Sequence, residues 1–285
     1  MTAASTGVER WVPTPDAIAH ANVTALIRDL GLSDHTALLR FATEEPARFY
    51  ERLVDRLGLH WDARWSSVVD LGRGKPFARW WPDAQLNAAA NCLDRWIENG
   101  LGSVEALVWE GEDGAIRRYT FAELREAVAR LGAVLRACGV GRGDTVGIFM
   151  PLIPETAIGL LAIAYIGAIA VPAFSGYGPD ALAARLADAR AKVLLTVDGV
   201  RRRGKPVVSK TIADEALRQA PSVTTVLVYS RAGMDVPMLE GRDRSWTDAV
   251  AATAPLATYE RTSANDRVML LYTSGSTGKP KGANH

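Results

Sequence analysis

Reactive side chains are scarce in this sequence: two cysteines, Cys92 and Cys138, and four histidines are spread over 285 residues. The cysteines form no disulfide framework, and neither stands at a metal-ligand spacing, so a zinc module is excluded and a reducing cytoplasm is the expected compartment. Nor is either flanked by a feature that would activate a thiol. His20, His35 and His60 fall early in the chain, where packing or surface roles are expected, and no Ser-His-Asp order can be assembled. A charge excess of either sign is also missing, with 33 Lys and Arg against 32 Asp and Glu. No overall field therefore draws nucleic acid or an anionic membrane, and any anion must be held by a local cluster. No secretory leader is visible, because the first fifteen residues lack an apolar core after a basic start. The one long apolar run, Ala157 to Phe174, is broken by Gly159, Gly167 and Pro172. It reads as a buried helix (Glu155 to Gly167) entering a buried strand (Ala168 to Ala173), not as a membrane span. Internal repeats and low-complexity linkers are absent too.

What is present divides at about residue 90. The early part carries most of the tryptophans, Trp11, Trp61, Trp65, Trp80 and Trp81, with Trp96 just beyond. It also shows short amphipathic helical patterns. Ile18, Val23, Leu26, Ile27 and Leu30 share one face, and Pro46 opens another with Phe49, Tyr50, Leu53, Val54 and Leu57. This part reads as a helical cap without chemistry of its own. After it, strands and helices alternate. Val104–Trp109 is a strand and Thr120–Cys138 an amphipathic helix, with Thr120 and Glu123 spaced as a capping box. Thr145–Met150, Ala168–Ala173, Val193–Val197, Thr224–Tyr229 and Val268–Tyr272 are further strands. Pro179–Ala189 and Thr211–Gln219 are further helices. The alternation predicts an α/β fold, a mainly parallel sheet flanked by helices. In such sheets ligands bind beyond the carboxyl ends of the strands, so the loops that follow them are where chemistry is expected.

The last strand runs into Thr273-Ser274-Gly275-Ser276-Thr277-Gly278-Lys279-Pro280-Lys281-Gly282. Three glycines, four hydroxyls and two lysines stand in ten residues, with no acid among them. Glycines let backbone N–H groups turn toward an anion, hydroxyls add donors, and lysines supply charge. The order differs from the mononucleotide P-loop, since Thr273 replaces its first glycine and Pro280 follows the lysine. A second basic cluster follows the strand Val193–Val197: Arg201-Arg202-Arg203-Gly204-Lys205 places four cations in five residues. A solvated face and an anion site are both open readings of it.

The run Tyr-Thr-Ser-Gly-Ser-Thr-Gly-Lys-Pro-Lys-Gly resembles the phosphate loop of adenylate-forming enzymes, the superfamily of acyl-CoA synthetases, luciferases and peptide-synthetase adenylation domains. Leu86-Asn87-Ala88-Ala89-Ala90-Asn91-Cys92-Leu93-Asp94-Arg95 resembles the junction after the N-terminal cap of acetyl- and propionyl-CoA synthetases. Gly143-Asp144-Thr145-Val146 leading to Met150-Pro151-Leu152-Ile153-Pro154-Glu155 is similar to their early strand and helix start. Pro172-Ala173-Phe174-Ser175-Gly176-Tyr177 lies where they carry Phe-Gly-Gly-Phe. The resemblance implies a cap over residues 1–90 and the first part of an AMP-binding domain over 91–285. It implies a carboxylate activated on ATP as an acyl-adenylate and passed to CoA, with Mg²⁺ assisting, and an acid as short as acetate. It gives Thr273, Ser274, Gly275, Ser276, Thr277, Gly278, Lys279 and Lys281 to the ATP phosphates. Arg201, Arg203 and Lys205 go to the CoA phosphate. Expected partners are small molecules only, a carboxylate, ATP and CoA, with no nucleic acid and no membrane. Oligomeric state has no pattern to read. The family's adenine- and Mg²⁺-binding segment, ribose aspartate, hinge and lysine-bearing C-terminal domain have no counterpart here. The expectation is therefore a truncated chain that holds no metal ligand and no catalytic residue, and is inactive alone. The alternatives are a non-catalytic nucleotide- or CoA-binding module and an adenylate-forming enzyme that does not use CoA.

Overall fold

A computed structural model describes residues 11–112, 114–202, 205–273 and 280–285. Two compact units are drawn from it, one from Met1–Leu59 and Ser67–Ala78, the other from His60–Ser66 and Arg79–His285. In the first unit, Thr14 caps α1 (Pro15–His20) by accepting the Ala17 N–H at 3.2 Å. Ala21 then turns extended and α2 (Asn22–Asp29) begins, so the predicted helix over Ile18–Leu30 is two helices. Thr24 explains the break: its hydroxyl donates to the Ile18 carbonyl at 2.6 Å, competing with the helical ladder there. Asp34 caps α3 (His35–Glu44), and Pro46 opens α4 (Pro46–Leu57), which stops at the left-handed Gly58. Leu26, Leu38 and Val54 are the buried side chains of these helices.

The second unit starts from an asparagine. Asn87 is buried and caps α5 (Ala88–Cys92), its Oδ1 accepting the N–H groups of Ala89 and Ala90 at 2.9 and 3.1 Å. Its Nδ2 donates to the carbonyls of Ala164 and Glu260 at 2.8 and 2.9 Å. Asn91, one turn on, exchanges hydrogen bonds with the backbone of His60. Next comes an antiparallel hairpin, β1 (Glu105–Glu110) and β2 (Ile116–Thr120). The strand foreseen at Val104–Trp109 is thus outside the main sheet. One of its faces is exposed, as suits a two-stranded ribbon and not a central strand. The Thr120–Glu123 capping box is present at the start of α6 (Phe121–Ala137).

The main sheet follows. Along the chain come β3 (Thr145–Phe149), α7 (Pro154–Tyr165), β4 (Ile169–Pro172), α8 (Pro179–Asp188), β5 (Val193–Val197) and a small hairpin, β6 (Val200–Arg202) with β7 (Lys205–Val207). Then come α9 (Ser209–Leu217), β8 (Thr225–Tyr229), β9 (Asp243–Ser245) and α10 (Trp246–Ala251). Five strands are hydrogen-bonded in the order β9-β8-β5-β3-β4, all parallel. Alternate residues face opposite layers. Val146, Ile148, Val193 and Leu195 pack with Leu131, Leu135 and Ile163, whereas Phe149, Leu194 and Val226 pack with Leu182, Leu186 and Ala213. Gly147 permits the second layer's approach, since a Cβ there would lie 2.4 Å from Leu186 Cδ2. At the β9 end, Lys210 is fully buried, with its ammonium 2.7 Å from Asp214 and 2.8 Å from Asp243. Arg242 pairs with both acids from the other side.

Counted along the chain, the strand order is 2-1-3-4-5. The connection from β3 leaves to one side and the chain later returns to the other. Such a switch point opens a crevice beyond the carboxyl ends of β3 and its neighbours. Among the described residues no helix is long and apolar enough to cross a membrane, and Ala157–Phe174 is divided between α7, β4 and the turn between them.

Candidate functional site

The phosphate-loop segment is bracketed by two antiparallel strands, β10 (Leu270–Thr273) and β11 (Lys281–Asn284), whose register sets Thr273 opposite Lys281. Both residues are exposed. Ser274, Gly275, Ser276, Thr277, Gly278 and Lys279 lie outside the described residues. The ribbon meets the sheet at one parallel bridge, Ala170 to Met269 on the free edge of β4. Side chains pin it further. The Tyr272 hydroxyl donates to Asp188 at the end of α8 at 2.5 Å. Burial, and then the Asp188 carboxylate, push that phenol above its ordinary pKa. Arg185, buried one turn earlier, sets its guanidinium carbon 4.2 Å from the centre of the Tyr177 ring and 5.8 Å from that of Tyr272. One arginine thereby reaches the segment Pro172–Tyr177 and Tyr272, the residue just before Thr273–Gly282.

A cleft of about 690 Å³ opens at the carboxyl ends of the strands, lined among others by Trp109, Leu152, Phe174, Arg201 and Arg231. Residues following β3, β4, β5 and β8 all contribute, so it sits at the switch point. Arg201 stands on β6 opposite Pro206, and Arg202 is paired with Lys205. Arg201 and Lys205 are both exposed, and only Arg201 of the two lines the cleft. Arg203 lies outside the described residues. Glu110 and Glu112 line the same cleft, so its charge is mixed.

Asp198, directly after β5, organises this rim. Its buried carboxylate accepts the backbone N–H groups of Gly199, Arg231 and Met234 at 2.7, 2.8 and 2.8 Å, and that of Ala232 at 3.0 Å. Burial opposes its ionisation, but these donors outweigh it and hold the carboxyl below the usual carboxylate range. Opposite, Arg117 makes a two-pronged pair with the buried Glu155 at 2.6 and 3.1 Å, close to Tyr119 and Tyr229. Trp109 donates its indole N–H to the Leu152 carbonyl at 2.8 Å, which fixes the ring.

Residues 94–285 match the family model described as AMP-binding enzyme. The chain belongs to that family. Residues 35–92 match a second model, acetyl-coenzyme A synthetase N-terminus. An acetyl-coenzyme A synthetase of Streptomyces coelicolor is 41% identical over 276 residues, 97% of this chain and 40% of that protein. One from Deinococcus radiodurans is 42% identical over 247 residues, 86% of this chain and 37% of that protein. The solved acetoacetyl-CoA synthetase from Streptomyces lividans superposes with a TM-score of 0.86 at 29% identity, covering 96% of this chain and 42% of that one. The chain thus spans about two fifths of the length of the curated relatives it matches. As a family member it is an acyl-CoA-synthetase-like chain, matched to the N-terminal portion of such enzymes.

Sequence reasoning passed over Asp198 and Arg231, and read Trp109 only as the end of a strand. An Asp-Gly pair directly after a buried strand was the available signal for Asp198, because a carboxylate there can gather the N–H groups of the turn. Nothing in the local sequence marks Arg231, which becomes visible only when β8 is set beside β5.

Proposed function

We propose that this AMP-binding chain is the N-terminal part of an ATP-dependent acid–thiol ligase. The division into a cap over 1–90 and the first part of the AMP-binding domain over 91–285 belongs to the same proposal and is supported by the two family models. In the reaction a carboxylate oxygen attacks the α-phosphorus of ATP, and the bond to the departing pyrophosphate breaks. The CoA thiolate then attacks the acyl carbon and AMP leaves. A short acid such as acetate is the proposed substrate, in keeping with the names of the relatives. The observation that carries the proposal is the segment Thr273–Gly282, rich in glycine, hydroxyl and lysine and set between strands that register Thr273 against Lys281. Its residues Thr273, Ser274, Gly275, Ser276, Thr277, Gly278, Lys279 and Lys281 are assigned to the ATP phosphates, stabilising charge that collects on pyrophosphate. Arg201, with Arg203 and Lys205, is assigned to the CoA phosphate. Among the described residues no three His, Cys, Asp or Glu side chains gather as a metal cage; magnesium, as part of the proposal, would be held with the nucleotide phosphates.

The test uses a full-length enzyme containing this sequence. Lys279→Ala is expected to slow adenylate formation by roughly 10²–10³, the equivalent of about 2–4 kcal/mol. Transfer of acyl from preformed acyl-adenylate to CoA should change far less. Equal damage to both half-reactions would assign the loop to folding instead. A second reading is a nucleotide- or CoA-binding module without chemistry. Titration of the chain with ATP, pyrophosphate and CoA tests that reading, and heat with none of them would exclude it.

A further inference from the structure

The cleft holds a second arginine that the phosphate assignment does not use. Arg231 lies two residues beyond Tyr229, the last residue of β8, and Tyr229 is in register with Val197, the last residue of β5. Arg201 follows β5 four residues beyond Val197, so the two arginines leave neighbouring parallel strands at the same end of the sheet. Both line the cleft.

Three observations single out Arg231. Its guanidinium carbon lies 5.3 Å from the centre of the Trp109 ring, which the Leu152 carbonyl holds in place. Among the described residues no carboxylate pairs with it, although Glu110 and Glu112 line the same cleft. Its backbone is fixed, because the Asp198 carboxylate accepts the N–H groups of Arg231, Ala232 and Met234. That carboxylate also holds Gly199, two residues before Arg201. A Cβ at Gly199 would lie 2.3 Å from Met234 Sδ and 2.7 Å from the Val207 carbonyl, so the two loops close on each other without room for a side chain. One buried carboxylate thus ties the loops that carry both arginines, and among the described residues none pairs with the Arg231 guanidinium.

We propose that Arg231 is a specificity-determining residue that reads the phosphomonoester on the nucleoside end of the thiol substrate, acting with Arg201. A phosphomonoester dianion suits two fork-shaped donors. The Trp109 and Phe174 rings give the attached nucleoside an apolar wall. The inference rests on the CoA reading of Arg201, and the experiment keeps the two apart.

The chain is titrated calorimetrically with CoA, with dephospho-CoA, which lacks only that phosphate, and with adenosine 3′,5′-bisphosphate. The wild type is expected to bind CoA roughly ten- to a hundredfold more tightly than dephospho-CoA, as one or two charge-assisted contacts would give. Arg231→Gln should lose about tenfold on CoA and on the bisphosphate while leaving dephospho-CoA unchanged. Arg231→Lys, which keeps the charge and loses the fork, should fall between. Thermal melting of both variants checks that they fold as the wild type does. If Arg201→Gln collapses the discrimination and Arg231→Gln preserves it, the inference about Arg231 is wrong and the Arg201 reading stands. A wild type that binds the two thiols equally, or binds neither, overturns the Arg201 reading and this inference with it.

Discussion

Replacement of Asn87 probes how the second unit is tied together. The side chain is buried, accepts two N–H groups at the start of α5 and donates to the carbonyls of Ala164 and Glu260. Asn87→Ala removes a cap worth about 1 kcal/mol and leaves buried backbone groups unpaired at about 1 kcal/mol or more each, so a loss of roughly 3–5 kcal/mol is expected. Asn87→Ser restores an acceptor for the cap and no amide donor, and should lose about half as much. Asn87→Asp is the sharper test. It keeps the cap acceptor but turns a carboxylate oxygen toward two carbonyl oxygens. Burial and that repulsion raise the folded carboxyl above the unfolded value of about 3.9. With the folded pKa raised, the variant is least impaired below about pH 4 and loses stability as pH rises through the folded value. Urea denaturation followed by tryptophan emission, at pH 4 and pH 7, measures this, because Trp61, Trp65 and Trp81 pack edge-on or tilted against one another within the same unit. An Asp variant as stable as the wild type at pH 7, or a Ser variant equal to the wild type, would show that the amide donor contributes nothing.

Two further outcomes are expected. Arg117→Met leaves Glu155 buried without its cation and should cost about 3 kcal/mol, read as a lower urea midpoint, whereas the double variant Arg117→Met with Glu155→Leu should recover most of the loss. Asp198, whose folded pKa is depressed, contributes stability that is present above the unfolded carboxylate value of about 3.9 and lost as pH falls toward the folded one. Asp198→Asn should be less stable than the wild type at neutral pH and show a shallower acid limb, and parallel limbs would refute the assigned shift.

The helix α6 and the strands β3, β4, β5 and β8 were legible because each carries its signal locally. Thr120 and Glu123 mark the start of α6, and the strands are apolar runs closed by turn residues. Residues expected as strands at Val104–Trp109 and Val268–Tyr272 were extended as foreseen but joined two-stranded ribbons, since apolar content alone does not name a strand's partner. The break at Ala21 depended on one threonine hydroxyl that helical periodicity ignores. The motif Thr273–Gly282 stood out by its order and the cluster Arg201–Lys205 by its charge density, and their phosphate roles are proposals. The cleft was not legible, because Trp109, Arg201 and Arg231 are distant in sequence and are brought together only by a strand order that no local pattern encodes.

Lys210 gives the fold a chemical clock. Its ammonium has no solvent exposure and is held between Asp214 and Asp243, whereas Lys205, five residues away, is open to water. An amine-reactive reagent needs a deprotonated, accessible nitrogen, so the native protein should be modified at Lys205 and spared at Lys210. Modification of Lys210 then proceeds only through openings that separate α9 from the β9 edge. Where reclosing outpaces the reagent, its rate measures the free energy of that opening, and where it does not, the rate of opening itself. A single peptide carrying both lysines would thus report surface reactivity and the breathing of the layer in one spectrum.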